Sequence, residues 1–178
     1  MSIGMAALEK TVADLRQEFD GAFAAPLPGA GEGRESLISL RAAGEGLAVR
    51  TMHITGLAKR RRIVPVPSTV PGLLGIMGFR GALLPAYDLA ALLGLQAAAG
   101  GAWLLLANPE SPIGLVFDEF EGQVEIEPAG LYESEAPRSR RHLRTMARVG
   151  TGHRAVIDIP GILAQIRKTA AVLEPAKE

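Results

Sequence analysis

From Leu37 onward the chain is written in short apolar runs, each broken within a few residues by glycine or proline. Such punctuation leaves no room for long helices and predicts a mainly all-β domain of small, tightly turned strands. In the first half the expected strands are Leu37 to Arg41, Leu47 to Arg50, Arg62 to Val66, Leu73 to Met77 and Ala82 to Tyr87. Ala43-Gly44-Glu45-Gly46 reads as the hairpin turn between the first two, while Pro65, Pro67 and Pro71 confine their stretch to a sheet edge or its end. Asp88 is placed to cap a short helix, Leu89 to Leu93, that Gly94 stops.

A second set follows Gly100-Gly101: Trp103 to Ala107, Ile113 to Phe117, Gln123 to Ile126, Arg144 to Val149 and Arg154 to Ile157, closing with a helix over Pro160 to Arg167. Proline suits a first helical turn, where its missing N–H is no loss. The halves rhyme at their ends, since RGALLPAYDLAALLG and HRAVIDIPGILAQI both run basic residue, apolar strand, aspartate, short apolar helix. The pattern predicts two similar five-stranded units, each about 55 to 70 residues, spanning about 37–98 and 101–168. Units so small are expected to share a core or an interface.

Ahead of them, Met5, Leu8, Val12, Leu15, Phe19 and Ala22 recur at steps of three and four with charged residues between, the stripe of an amphipathic helix of about five turns. Residues 1–23 are assigned to this helix, 24–36 to a flexible linker with two prolines and three glycines, and 169–178 to a C-terminal tail. The stripe suits folding back onto its own domain or joining a partner helix.

Composition narrows the function. The 178 residues include no cysteine, which removes disulfides, thiolate metal sites and thiol nucleophiles together. No apolar run reaches the ~18 residues of a membrane-spanning helix, and Met1 to Ala7 lacks an export signal, so the cytoplasm is the expected compartment. Nineteen basic and nineteen acidic residues cancel, and aromatics are few, so nucleic acid is not an expected partner. The cancellation hides segregation. Arg50 and Lys59 to Arg62 carry five positive charges with no acid between, Glu110 to Glu135 carries eight acids with no base, and Arg138 to Arg148 holds five arginines. Lys59 to Arg62 reads as a solvated loop or an acidic-partner contact.

The sequence carries no recognisable catalytic, metal or phosphate-binding pattern. His53, His142 and His153 stand apart and outside any zinc-ligand spacing. Neither the GAGEG of the linker nor Gly72 to Gly81 carries the lysine of a phosphate cradle, and no serine sits in a nucleophile elbow. Of Asp118, Glu119, Glu121, Glu125 and Glu127, strand alternation puts Glu125 and Glu127 on one solvated face. No catalytic, cofactor or metal site is expected.

The strongest single feature is GLLGIMGFRGALLPAYDLAALLGL, Gly72 to Leu95, in which a glycine–phenylalanine–arginine–glycine turn joins two apolar strands and Pro85, Asp88 and Leu89 lead into a short helix. It resembles the signature of the CheW-like family of chemosensory adaptors. LISLRAAGEGLAVRTMHITGLAKRRRIVPVPS resembles that family's opening hairpin and apolar turn, SPIGLVFDEFEGQVEIEP its G-x-x-V-D segment, and HRAVIDIPGILAQI its closing strand and helix, so the likeness spans about Leu37 to Lys168. The resemblance implies two packed five-stranded β barrels with a groove between them. It also implies a non-enzymatic adaptor that links chemoreceptor tips to the regulatory domain of a CheA-type histidine kinase at membrane receptor arrays.

Carried over by position, the apolar residue of the receptor-facing turn falls on Ile54, the signature arginine on Arg80 between Phe79 and Gly81, and an apolar groove residue of the second unit on Val116. Gly81 suits a positive φ that aims the Arg80 guanidinium outward, to bind carboxylates or brace neighbouring carbonyls. The chain departs from the family at Gly56, where a glutamate is usual, at Gly78 for asparagine, at Phe79 for leucine and at Ala86 for valine. Losing that acid and gaining the basic run alters the charge offered to a partner. A diverged regulator that binds another protein through the N-terminal helix is the alternative.

Overall fold

The computed structural model describes residues 33–96, 100–108, 110, 112–134 and 142–173. The N-terminal helix and most of the linker therefore lie outside the described residues. From Glu35 the chain forms one compact unit. Its strands are β1 (Glu35–Ala42), β2 (Glu45–Arg50), β3 (Gly56–Lys59), β4 (Ile63–Val64), β5 (Leu73–Phe79), β6 (Ala82–Asp88), β7 (Trp103–Ala107), β8 (Ile113–Phe117), β9 (Glu119–Ile126), β10 (Leu131–Glu133), β11 (Thr145–Val149) and β12 (Gly152–Val156). Two helices, α1 (Leu89–Leu92) and α2 (Ile159–Leu173), complete it. The expected all-β character holds.

The strands assemble as two six-stranded sheets, and the division between them is not the expected one. Sheet one runs β10-β11-β12-β2-β1-β9 and sheet two β3-β7-β8-β6-β5-β4. Each draws strands from both halves of the chain, so the boundary at residues 98–101 does not separate the sheets. The exchange rests on four pairings between the halves, β12 with β2 and β6 with β8 in parallel and β1 with β9 and β3 with β7 antiparallel, which periodicity within either half cannot reveal. Six strands replace five because β3 and β10, only four and three residues long, add to the edges.

Alternation along the strands builds three packed regions. In β7, Leu105 and Ala107 face a core shared by both sheets, while Leu104 and Leu106 face a smaller core belonging to sheet two. In β8, Ile113, Leu115 and Phe117 join the shared core and Val116 the smaller one. Both strands are thus buried on two faces, which is why WLLLA and IGLVF read as unbroken apolar runs. Sheet one closes in the same way over Leu37, Ala48, Ile126, Ala147 and Val156. Gly114 is required here, because a Cβ would stand 2.6 Å from Leu104 Cδ1.

The β1–β2 hairpin turns on Ala43 and Gly44 alone, at φ 51° and 77°, a two-residue connection of the primed type whose twist matches its strands. Asp88 caps α1 by accepting from the Ala90 and Ala91 N–H groups, as expected. Asp158 repeats the device at α2, accepting from the Gly161 N–H at 3.0 Å. Ile159, Ile162 and Ile166 of α2 then face the shared core. That helix runs past Arg167 to Leu173, so the first five residues assigned to a tail are helical, and β1 begins two residues inside the assigned linker.

Candidate functional site

The chain passes between the sheets at two places. One is Asp118, the single residue between β8 and β9. Its N–H donates to the Arg41 carbonyl at 3.0 Å and its carboxylate accepts from the Ala43 N–H at 2.7 Å, so the crossing is fixed to the β1–β2 hairpin from both ends. Asp118, one of the acids considered above, thus has a structural task.

The other crossing is the one-turn helix Thr51–His53 with Ile54 and Thr55, between β2 and β3. Arg50 Nε pairs with Glu35 Oε2 at 2.7 Å, and the Thr51 hydroxyl donates to the Ser36 carbonyl, which ties the turn to β1. Ile54 is half-buried and packs on the shared core. The side chain this turn offers to solvent is Met52, 81% exposed, a residue the sequence did not single out. Gly56 opens β3 opposite Leu106, and a Cβ there would come within 3.3 Å of Leu106 Cδ1. A side chain at that position would need Leu106 to give by a few tenths of an ångström.

His53 lies in the same turn. Its Nδ1 is buried without a hydrogen-bond partner, and burial, with the nearby Arg50 charge, holds its pKa below the usual histidine value of 6.5. His142 Nε2 instead meets Gln165 Oε1 at 2.8 Å, and His153 Nδ1 meets the Tyr132 hydroxyl at 2.8 Å. The three histidines have separate surroundings.

Arg80 and Gly81 form the two-residue turn of the β5–β6 hairpin, at φ 48° and 82°, with Phe79 and Ala82 paired before and after it. Both residues are left-handed, which a glycine takes freely and an arginine only at a cost. Phe79 packs on the core of sheet two, and its ring lies 5.3 Å from the Arg80 guanidinium carbon and 5.8 Å from that of Arg61. The basic run and the signature arginine therefore meet at one ring. Lys59 turns elsewhere, its Nζ 3.8 Å from the Trp103 ring centre.

Val116, the expected groove residue, does not face a groove. It is 4% exposed and lies among Met77, Leu84 and Leu104 inside sheet two, so it presents nothing to a partner. The strand carrying it is buried on both faces, which leaves no groove position to fill.

The domain model for CheW-like domains matches residues 36–167, nearly the whole described unit. The chain belongs to the CheW-like family. Among solved structures, the scaffolding protein TtCheW from Thermoanaerobacter tengcongensis is similar in fold, with a TM-score of 0.62 and 16% identity over 70% of this chain and 88% of that chain. No curated protein matches. In this CheW-like chain the signature arginine stands on an exposed left-handed turn, and the apolar turn between the sheets exposes Met52 beside Ile54. No helix of the described residues is long and apolar enough to cross a membrane.

Proposed function

We propose that this protein is a non-enzymatic chemosensory adaptor that couples chemoreceptors to a CheA-type histidine kinase in the cytoplasm. The family match over 36–167 carries the reading. Two exposed features supply its contacts. Met52 and Ile54, with the bare backbone of Gly56, offer a small apolar step between the sheets. Phe79, Arg80 and Gly81 offer a fixed cation at a hairpin tip. The planar guanidinium of an exposed Arg80 can meet a carboxylate through two parallel hydrogen bonds, which favours contact over mere bracing.

Titration calorimetry of the full chain against the regulatory domain of a CheA-type kinase from the same cell, and separately against a receptor cytoplasmic fragment, tests it. The expected result is micromolar or tighter binding, about −8 kcal/mol, that survives deletion of residues 1–30. Absence of binding to both partners by the folded chain refutes the coupling role, and binding lost with the deletion transfers the function to the N-terminal segment.

A further inference from the structure

The outer face of sheet two across β4, β5 and β6 carries aliphatic side chains into solvent. Val64 pairs with Ile76, Ile76 with Pro85, and Gly78 with Leu83. Residues opposite one another on antiparallel strands share a face, as do residues two apart on one strand. Val64, Ile76, Gly78, Leu83 and Pro85 therefore lie together, while Ile63, Met77 and Leu84 point the other way into the core. Val64 is 58% exposed, Ile76 38% and Leu83 80%. Single exposed leucines are ordinary, but a contiguous group bordered by charge marks a contact surface. Nothing lies within 4 Å of where a Gly78 Cβ would stand, so the strip has a flat, open floor.

One border is positively charged. Arg62 directly precedes Ile63 and continues the β4 register toward Gly78, on the side of the strip, and Arg80 stands at the hairpin tip where β5 and β6 end, whereas Arg61, at the Phe79 ring, follows Ile63 and Met77 to the other face. Among the described residues none of Arg61, Arg62 and Arg80 has a carboxylate partner. The edge itself is closed to strand addition, since β4 is two residues long and is followed at once by Pro65, which has no N–H to donate. An occupant must lie on the face, and a helix with one apolar stripe flanked by acids matches both the strip and its border.

We propose that the β4–β6 face docks an acidic amphipathic helix of a partner protein, its apolar stripe on Val64, Ile76 and Leu83 and its carboxylates on Arg62 and Arg80. The proposal deepens the adaptor reading and rests on it for there being a partner; the chemistry of the helix comes from the face alone.

The test is fluorescence anisotropy of the full chain with three labelled helical peptides that share one leucine stripe, flanked by glutamate, glutamine or lysine. Glutamate peptide should bind best, lysine peptide least, and the preference should shrink as salt screens it. Leu83→Asp, and separately Arg62→Glu, should each weaken glutamate-peptide binding about tenfold or more with the unfolding midpoint unmoved. Binding of no peptide, equal binding of all three, or indifference to Leu83→Asp overturns the proposal. Sedimentation of the full chain alone is the second arm, and an oligomer that Leu83→Asp dissolves would give the face to a second copy instead. The two readings fail differently. A chain that binds kinase domain and receptor fragment but no peptide refutes this proposal only, whereas one that binds the glutamate peptide but neither protein refutes the adaptor role.

Discussion

Arg154 reaches Glu121 across the bare backbone of Gly46. Its Nη2 stands 2.6 Å from Glu121 Oε2, and a Cβ on Gly46 would collide with its Nη1. Arg41 Nε holds the other carboxylate oxygen at 2.7 Å. Glu121 is free to take both because the register of β9 against β1 slips there, Ser39 facing Gly122 and Leu40 facing Phe120. One carboxylate thus joins β9, β1 and β12 over the β2 strand that separates them.

Gly46→Val should push Arg154 aside and leave the Glu121 carboxylate with one cation instead of two. A loss of about 1 to 2 kcal/mol is expected, read as a lower urea midpoint. Glu121→Gln should cost a similar amount, and the two changes together less than their sum. Strict additivity would mean that Gly46 serves something other than the passage of Arg154.

Arg80→Gly separates contact from bracing. Relief of a left-handed arginine gains about 1 kcal/mol, and the looser unfolded chain takes back a similar amount. The thermal midpoint should therefore stay within a few degrees while kinase activation in a receptor-dependent assay collapses. Arg80→Asp should behave alike, and a large drop in the midpoint for both would assign Arg80 to bracing.

Asp118→Ala removes the acceptor for the Ala43 N–H at the crossing between sheets. The hairpin amide loses a charge-assisted bond, for an expected cost of about 1.5 to 3 kcal/mol. Amide exchange at Ala43 should accelerate more than exchange in the strand centres. Unchanged protection there would show that the turn holds itself.

His53 makes stability pH-dependent. Because burial first and Arg50 second lower its folded pKa below 6.5, with Asp158 and Glu35 opposing, the unfolded chain binds more protons than the folded one just below that pH. Its contribution is fully present above pH 6.5 and is lost as pH falls through the folded value. His53→Gln should flatten this part of the profile in urea titrations between pH 5 and about 7.5, and a slope that persists would belong to another group.

Ten of the twelve strands were legible in the sequence, most of them because their side chains alternate or run apolar, as in ALLPAYD and WLLLA. Gly56-Leu57-Ala58-Lys59 was not, since it is short, lacks β-branched residues and gains its strand form from pairing with β7 at an edge. The start of β9 was hidden by Glu119 and Glu121, which occupy its solvent face where an apolar pattern was sought. Of the site residues, Arg80 and Gly81 could be placed from their turn chemistry. Val116 could not, because apolarity alone does not tell a strand with two buried faces from one that lines a groove. Met52 carried no local signal, and only the one-turn helix that lifts it out of the β2 direction exposes it.

The parallel pairing of β12 with β2 also sets a condition on biosynthesis. While a ribosome is still adding residues short of Val156, β2 has β1 on one side and an open flank on the other, and most of sheet one has yet to emerge. Docking of this last strand is a long-range step whose closure entropy falls late, so the nascent chain should acquire protease resistance only once β12 has emerged, not in two stages as successive halves appear.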